Sequence, residues 1–215
     1  MKKVIFSLLL VGLIAGSCFA EVLMTAKPQG EGNVSLQLFN STTPFIRFEG
    51  NSTITGTKVI YGLNYYTDIL VKTGTCKNSF DEDNPPATEN GAGIKYAIPK
   101  EWWDTPFDVA AVFNTDTISG KGFTQTMNTI GMIESGKLSI GVEIYSLIYA
   151  MQNSEKIAGQ KAESSNDLMW GFGSKYTFPK SHASWLMENL AYTMGGDTFH
   201  TTCFAIQYDF SAFGE

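Results

Sequence analysis

The sequence predicts an all-β protein, an antiparallel up-and-down transmembrane β-barrel of about ten strands, with about eight or twelve as the alternatives. Three observations carry that prediction. Short segments with strand alternation recur from Gly32 to the C-terminus, and in the clearest of them the charges keep to one face. After the N-terminus, no stretch supplies the roughly 18 unbroken apolar residues that a membrane helix needs.

The stretch LSIGVEIYSLIYA, residues 138–150, shows the logic. On a helix Glu143 would sit on a cylinder that is apolar all round, where an unpaired charge costs several kcal/mol or more. On a strand Leu138, Ile140, Val142, Ile144 and Ile148 share one face, and Ser139, Gly141, Glu143, Tyr145 and Tyr149 share the other.

The first twenty residues, MKKVIFSLLLVGLIAGSCFA, have two lysines, an apolar run and then small residues, the layout of a secretory signal peptide. Residues 21–215 then form a single domain. A rival reading makes Cys18 a lipidated residue, but Ala15-Gly16-Ser17 lacks the usual branched apolar residue three places earlier. Removing Lys2 and Lys3 leaves 13 basic against 21 acidic residues, a net charge of −8, which argues against nucleic acid as a partner. Charged residues make up only 17% and aromatics 13%, a balance suited to strands that are half apolar and half polar. Cys76 and Cys203 are too few to support the fold by disulfides, and both one bridge and two unbridged thiols stay open.

The elements follow in order. GNVSLQLF sets Val34, Leu36 and Leu38 against Ser35 and Gln37, and KVIYGL sets Val59, Tyr61 and Leu63 on one side. A tight turn in NYYTD leads to ILVKTG. The connection CKNSFDEDNPPATENG, with prolines and an acidic cluster, reads as a solvated loop. GIKYAI opposes Ile94, Tyr96 and Ile98 to Lys95, PKEWWDTP reads as a turn, and FDVAAVFN opposes Phe107, Val109, Ala111 and Phe113 to Asp108 and Asn114. FTQTMNTIGMIE is the least regular segment, and a Ser-Gly-Lys turn is expected at 135–137. LMWGFGSKYTF alternates Leu168, Trp170, Phe172, Tyr176 and Phe178 with Gly171, Gly173 and Lys175, SWLMENLAYT has mixed faces, and FHTTCFAIQYDF closes the array. Long connections after the first, third and seventh strands and tight ones after the second, sixth and eighth predict a loop end and a turn end.

KVIYGLNYYTDILVKTG, with Gly62 and Asp68 flanking its turn, resembles the strand–turn–strand unit of small bacterial outer-membrane β-barrel proteins, and GAGIKYAI and FAIQYDF resemble other strands of that group. The resemblance implies a place in the bacterial outer membrane, with its lipid and the barrel insertion machinery as partners. Such chains usually end on an aromatic residue; here SAFGE follows Phe210, so Phe210 or Phe213 takes that role.

Polarity separates this barrel from a soluble lipocalin-like one, which shares the alternation. Lys58, Lys72, Lys95, Asp108, Glu143, Lys175, Glu188 and Asp209 lie on the polar face, four lysines against four acids. Glycines recur on that face opposite bulky aromatics, as a narrow interior requires. The expectation is a lumen closed by interleaved ion pairs, with Tyr61, Tyr65, Tyr66, Trp102 and Trp103 in an aromatic girdle at the turn end.

One constellation has the residue types of a serine nucleophile. His182 and Ser184 share a face with Glu188 beyond them, and the pair is similar to the His-x-Ser of lipid A deacylases; at the strand rise, Glu188 lies some 13 Å from Ser184, too far to orient the imidazole. His200 lacks companion ligands, so neither metal nor cofactor is expected. The chain is therefore expected not to be an enzyme. A structural or surface-interaction barrel, whose loops 75–90 and 152–166 meet an extracellular ligand, is expected first. A small channel or transporter for a small or hydrophobic solute is the alternative.

Overall fold

A computed structural model of the chain describes residues 23–44, 51–78, 85–102, 106–139, 141–159, 161–194 and 197–210. The expected leader 1–20 with Cys18, together with Trp103 and Phe213, lies outside the described residues. The strands are β1 (Val34–Pro44), β2 (Asn51–Gly62), β3 (Thr67–Asn78), β4 (Ala87–Ile98), β5 (Asp108–Gly120), β6 (Phe123–Ser139), β7 (Val142–Ile157), β8 (Glu163–Thr177), β9 (Ala183–Met194) and β10 (Asp197–Phe210), with a 3-10 turn at Lys100–Trp102. Each pairs antiparallel with its chain neighbours, and β1 pairs with β10 from Val34 opposite Phe210 to Thr42 opposite Thr202. The sheet is thus a closed ten-stranded barrel with no free edge.

Alternation sends large apolar side chains outward and most charges inward. Leu38, Ile130, Phe172 and Ile206 are 58, 62, 59 and 53% exposed, while Lys58, Lys95 and Glu188 are at most 1% exposed. In β7, Ile144 and Ile148 face out and Tyr145 and Tyr149 face in. Inward glycines make room for rings from the neighbouring strand. Gly173 is opposite Tyr145, Gly131 opposite Tyr149 and Gly56 opposite Phe39, and a Cβ at any of the three would strike the facing ring.

Several boundaries differ from the expectation. The Ser-Gly-Lys sequence at 135–137 is part of β6, and the turn residue before β7 is Gly141, at φ +80°. The left-handed conformation suits glycine and overrides the polar triplet. Lys121-Gly122, with Gly122 at φ +83°, links β5 to β6 in two residues. Strand reaches into both loops expected at 75–90 and 152–166: Thr75 to Asn78 belongs to β3, Ala87 to Asn90 to β4, Gln152 to Ile157 to β7 and Glu163 to Asn166 to β8, while 79–84 lie outside the described residues. Polar residues alternate there as well as apolar ones do, so the hairpins extend past the point where hydrophobicity stops. The expected contrast of ends is also weaker, because the two-residue link 121–122 lies at the end expected to carry long loops.

The interior is more apolar than a lumen of charges and glycines. Ile54, Ile118, Met127, Ile133, Met169 and Leu190 belong to a continuous buried cluster within the barrel. Leu186 and Leu190 face inward on β9 while Trp185 faces outward, which is why that segment reads as mixed.

Candidate functional site: the lumen and the segment that fills it

Residues 23–33 precede β1 and have no strand partner of their own, yet Leu23, Met24, Thr25 and Ala26 are buried. They run inside the barrel from the turn end. A segment without secondary structure must find partners for its peptide groups elsewhere, and here inward side chains supply them. The Leu23 N–H donates to Glu188 Oε2 at 2.9 Å, and Gln37 Nε2 donates to the Leu23 carbonyl at 2.9 Å. The Ala26 N–H donates to Ser135 Oγ at 3.2 Å, and the Gln29 N–H to the Asp68 carboxylate at 3.1 Å. Lys95 Nζ donates to the carbonyls of Thr25 at 3.0 Å and Lys27 at 2.7 Å.

The two residues that flank the turn between β2 and β3 hold this segment from below. The Gly32 N–H donates to the Gly62 carbonyl at 2.8 Å and the Gly62 N–H to the Asn33 carbonyl at 2.9 Å. A Cβ on Gly62 would collide with the Gly30 backbone, so only glycine permits this approach. Asp68 Oδ2 lies 2.9 Å from Lys95 Nζ. The buried ammonium thus has one carboxylate and two carbonyls around it, the kind of pairing that makes burial of charge tolerable.

A second set of charges sits farther along the lumen. Lys72 Nζ lies 2.9 Å from Glu89 Oε1 and 3.2 Å from Asp116 Oδ1. Lys72, Gly91 and Asp116 are in register across β3, β4 and β5, and the lysine stem crosses above Gly91, where a Cβ would come within 2.8 Å of its Cε.

The other expected residues are distributed as follows. Lys58 is buried with its ammonium 5.9 Å from the centre of the Phe39 ring. Glu143 accepts from Ser135 Oγ at 2.8 Å. Lys175 Nζ is 3.7 Å from Asp209 Oδ2, and Asp209 also engages Ser35 and Gln207. Asp108 pairs with Lys100 at 3.1 Å at the rim, away from the lumen. Within the eight, Lys175 and Asp209 meet each other. Lys72 and Lys95 instead meet Glu89, Asp116 and Asp68, which sequence reasoning missed because Glu89 fell in an expected loop and Asp68 in a turn. The alternation of β4 through Glu89, Gly91, Gly93 and Lys95 was the available signal.

At the turn end Tyr61, Tyr65, Tyr66 and Trp102 are exposed, and Tyr96, Phe178, Trp185, Tyr208 and Phe210 extend the aromatic set around that rim. Tyr66 and Tyr96 rings lie 6.5 Å apart, and those of Tyr208 and Phe210 4.7 Å apart. His182 is exposed against Tyr208, with ring centres 6.2 Å apart, while Ser184 is buried and its Oγ meets Thr177 Oγ1 at 3.4 Å. Ser184 and His182 thus have separate neighbours, and Glu188 holds the Leu23 peptide. Cys76 and Cys203 are buried and not bridged, the first 3.2 Å from Ser52 Oγ and the second donating to Ser41 Oγ at 3.4 Å.

No protein-family model matches the chain, and no curated protein sequence does. Solved structures similar to it include bacterial outer-membrane β-barrels. The Ail protein of Yersinia pestis in a phospholipid nanodisc is 11% identical with a TM-score of 0.45, over 84% of this chain and 100% of that one. The N-terminal β-barrel domain of Pseudomonas aeruginosa OprF is 12% identical with a TM-score of 0.38, over 84% and 99%. The outer membrane protease OmpT of Escherichia coli is 10% identical with a TM-score of 0.42, over 83% and 96%. The last of these corrects the expectation that the chain is not an enzyme. A fold by itself decides neither for nor against catalysis.

Proposed function

We propose that the chain is a bacterial outer-membrane β-barrel with a sealed lumen, serving a structural or surface-interaction role through its outer wall and loop-end hairpins. The single observation that carries this reading is the path of residues 23–33. Their peptide groups are bonded to Glu188, Ser135, Lys95 and Asp68, and packed apolar side chains and the Lys72 group occupy the lumen beyond them, while a cavity of about 350 Å³ stays open at the turn end beside Glu143 and Lys175. The outward-facing Ile, Leu, Phe and Trp side chains suit acyl chains, and the aromatic rim suits the headgroup layer.

Cell fractionation with unheated gel electrophoresis tests the placement. The protein is expected with the outer membrane and is expected to shift in mobility on boiling. Planar-bilayer recording tests the seal. Purified barrel is expected to show no steady conductance; a large, constant open level would instead favour a small channel or transporter.

A further inference from the structure

Above the apolar band, the outer wall carries a band of Thr, Asn and Gln. On three strand pairs these groups bond to one another: Asn40 to Thr55 at 2.8 Å, Thr73 to Asn90 at 3.0 Å and Thr202 to Asn189 at 3.0 Å. On the β6–β8 face they do not. Asn128, Gln152 and Asn166 are in register on three adjacent strands, and among the described residues their amides make no hydrogen bond. One step toward the apolar band lies the row Phe113, Ile130, Ala150 and Leu168, also in register. Ala150 is a gap between longer side chains, and the two rows line an outer groove of about 590 Å³.

We propose that this groove binds one membrane lipid with a neutral, hydroxyl-rich headgroup, a glycolipid, its acyl chain seated over Ala150 and its sugar hydroxyls on the three amides. The inference rests on the outer-membrane reading. Its chemistry follows from the lining. Free amides offer both donors and acceptors, as hydroxyl groups require. The outward-facing lining holds no cation, so a phosphate headgroup finds no counter-charge there. The groove also straddles the polar and apolar bands, so a molecule lying in it has its acyl and headgroup parts at the matching levels.

Native mass spectrometry of the full chain, folded in micelles and mixed with defined lipids, tests this. Monogalactosyl diacylglycerol is expected to be retained one to one, and phosphatidylglycerol with the same acyl chains to be retained roughly tenfold less. Ala150→Trp, which fills the gap, and Gln152→Leu are each expected to reduce galactolipid retention by about tenfold while leaving the mobility shift on boiling unchanged. Retention unaffected by Ala150→Trp, or equal retention of both lipids, overturns the proposal while the membrane reading stands. Ready disulfide dimers of Ala150→Cys assign the groove to a second copy and also overturn it. A protein that neither inserts into vesicles nor shifts on boiling removes the membrane reading and the lipid together.

Discussion

Asp68 and Lys95 stand directly opposite each other on β3 and β4, 2.9 Å apart and buried, and each also holds the backbone of the N-terminal segment. The pair therefore joins wall to filling. Asp68 takes the Gln29 peptide N–H, and Lys95 takes two carbonyls.

Removing one partner should be costly. Lys95→Met leaves the Asp68 charge without its counter-ion and two carbonyls without their donor, and a loss of about 3–5 kcal/mol is expected. Urea titration of the barrel folded into vesicles measures it. Lys95→Met combined with Asp68→Asn should recover part of the loss, because no net charge is then stranded.

The seal should fail at Gly62. A Cβ there meets the Gly30 backbone, which has no flexible end to move aside. Gly62→Val is expected to displace residues 23–33 without unpairing β2 from β3. A cysteine introduced as Thr25→Cys should then react with a maleimide that the same cysteine resists when Gly62 is intact, and bilayer recordings should show new openings.

The ring-over-glycine joint of β7 and β8 gives a reciprocal test. Gly173→Val overfills the place of the Tyr145 ring, for an expected cost of about 1–3 kcal/mol. Tyr145→Ala added to Gly173→Val should be less destabilised than the two single changes sum to, as a double-mutant cycle in vesicle refolding would show.

The outer wall should respond by level. Ile206→Arg puts a charge in the apolar band and is expected to cost about 2–4 kcal/mol, while Thr73→Arg in the Thr and Asn band should cost about 0–1 kcal/mol. Refolding equilibria in phospholipid vesicles separate the two. Equal costs at both positions would contradict a membrane boundary between them.

Alternation made the barrel legible, since the outward Phe172 and Ile206 repeat at every second residue and their neighbours Gly171, Gly173, Ala205 and Gln207 are polar or small. It failed where both faces are apolar, as in β9 with Leu186 inside and Trp185 outside, and it understated strand length where both faces are polar, as at Gln152 to Ile157. The lining charges could be assigned to the interior, but not their partners. Which lysine meets which acid depends on register between strands, and one strand carries no record of its offset from the next. The filling segment was the least visible part. MTAKPQGEGN has no periodicity, because its peptide groups are bonded by Glu188, Ser135 and Lys95 far along the chain and its own side chains set no pattern.

Leu23 lies at the depth of Glu188, five residues inside β9. An affinity tag or fluorescent reporter joined directly at Leu23 would therefore act as a wedge between staves. The link Lys121-Gly122 faces outward from the rim and offers a graft no such confinement.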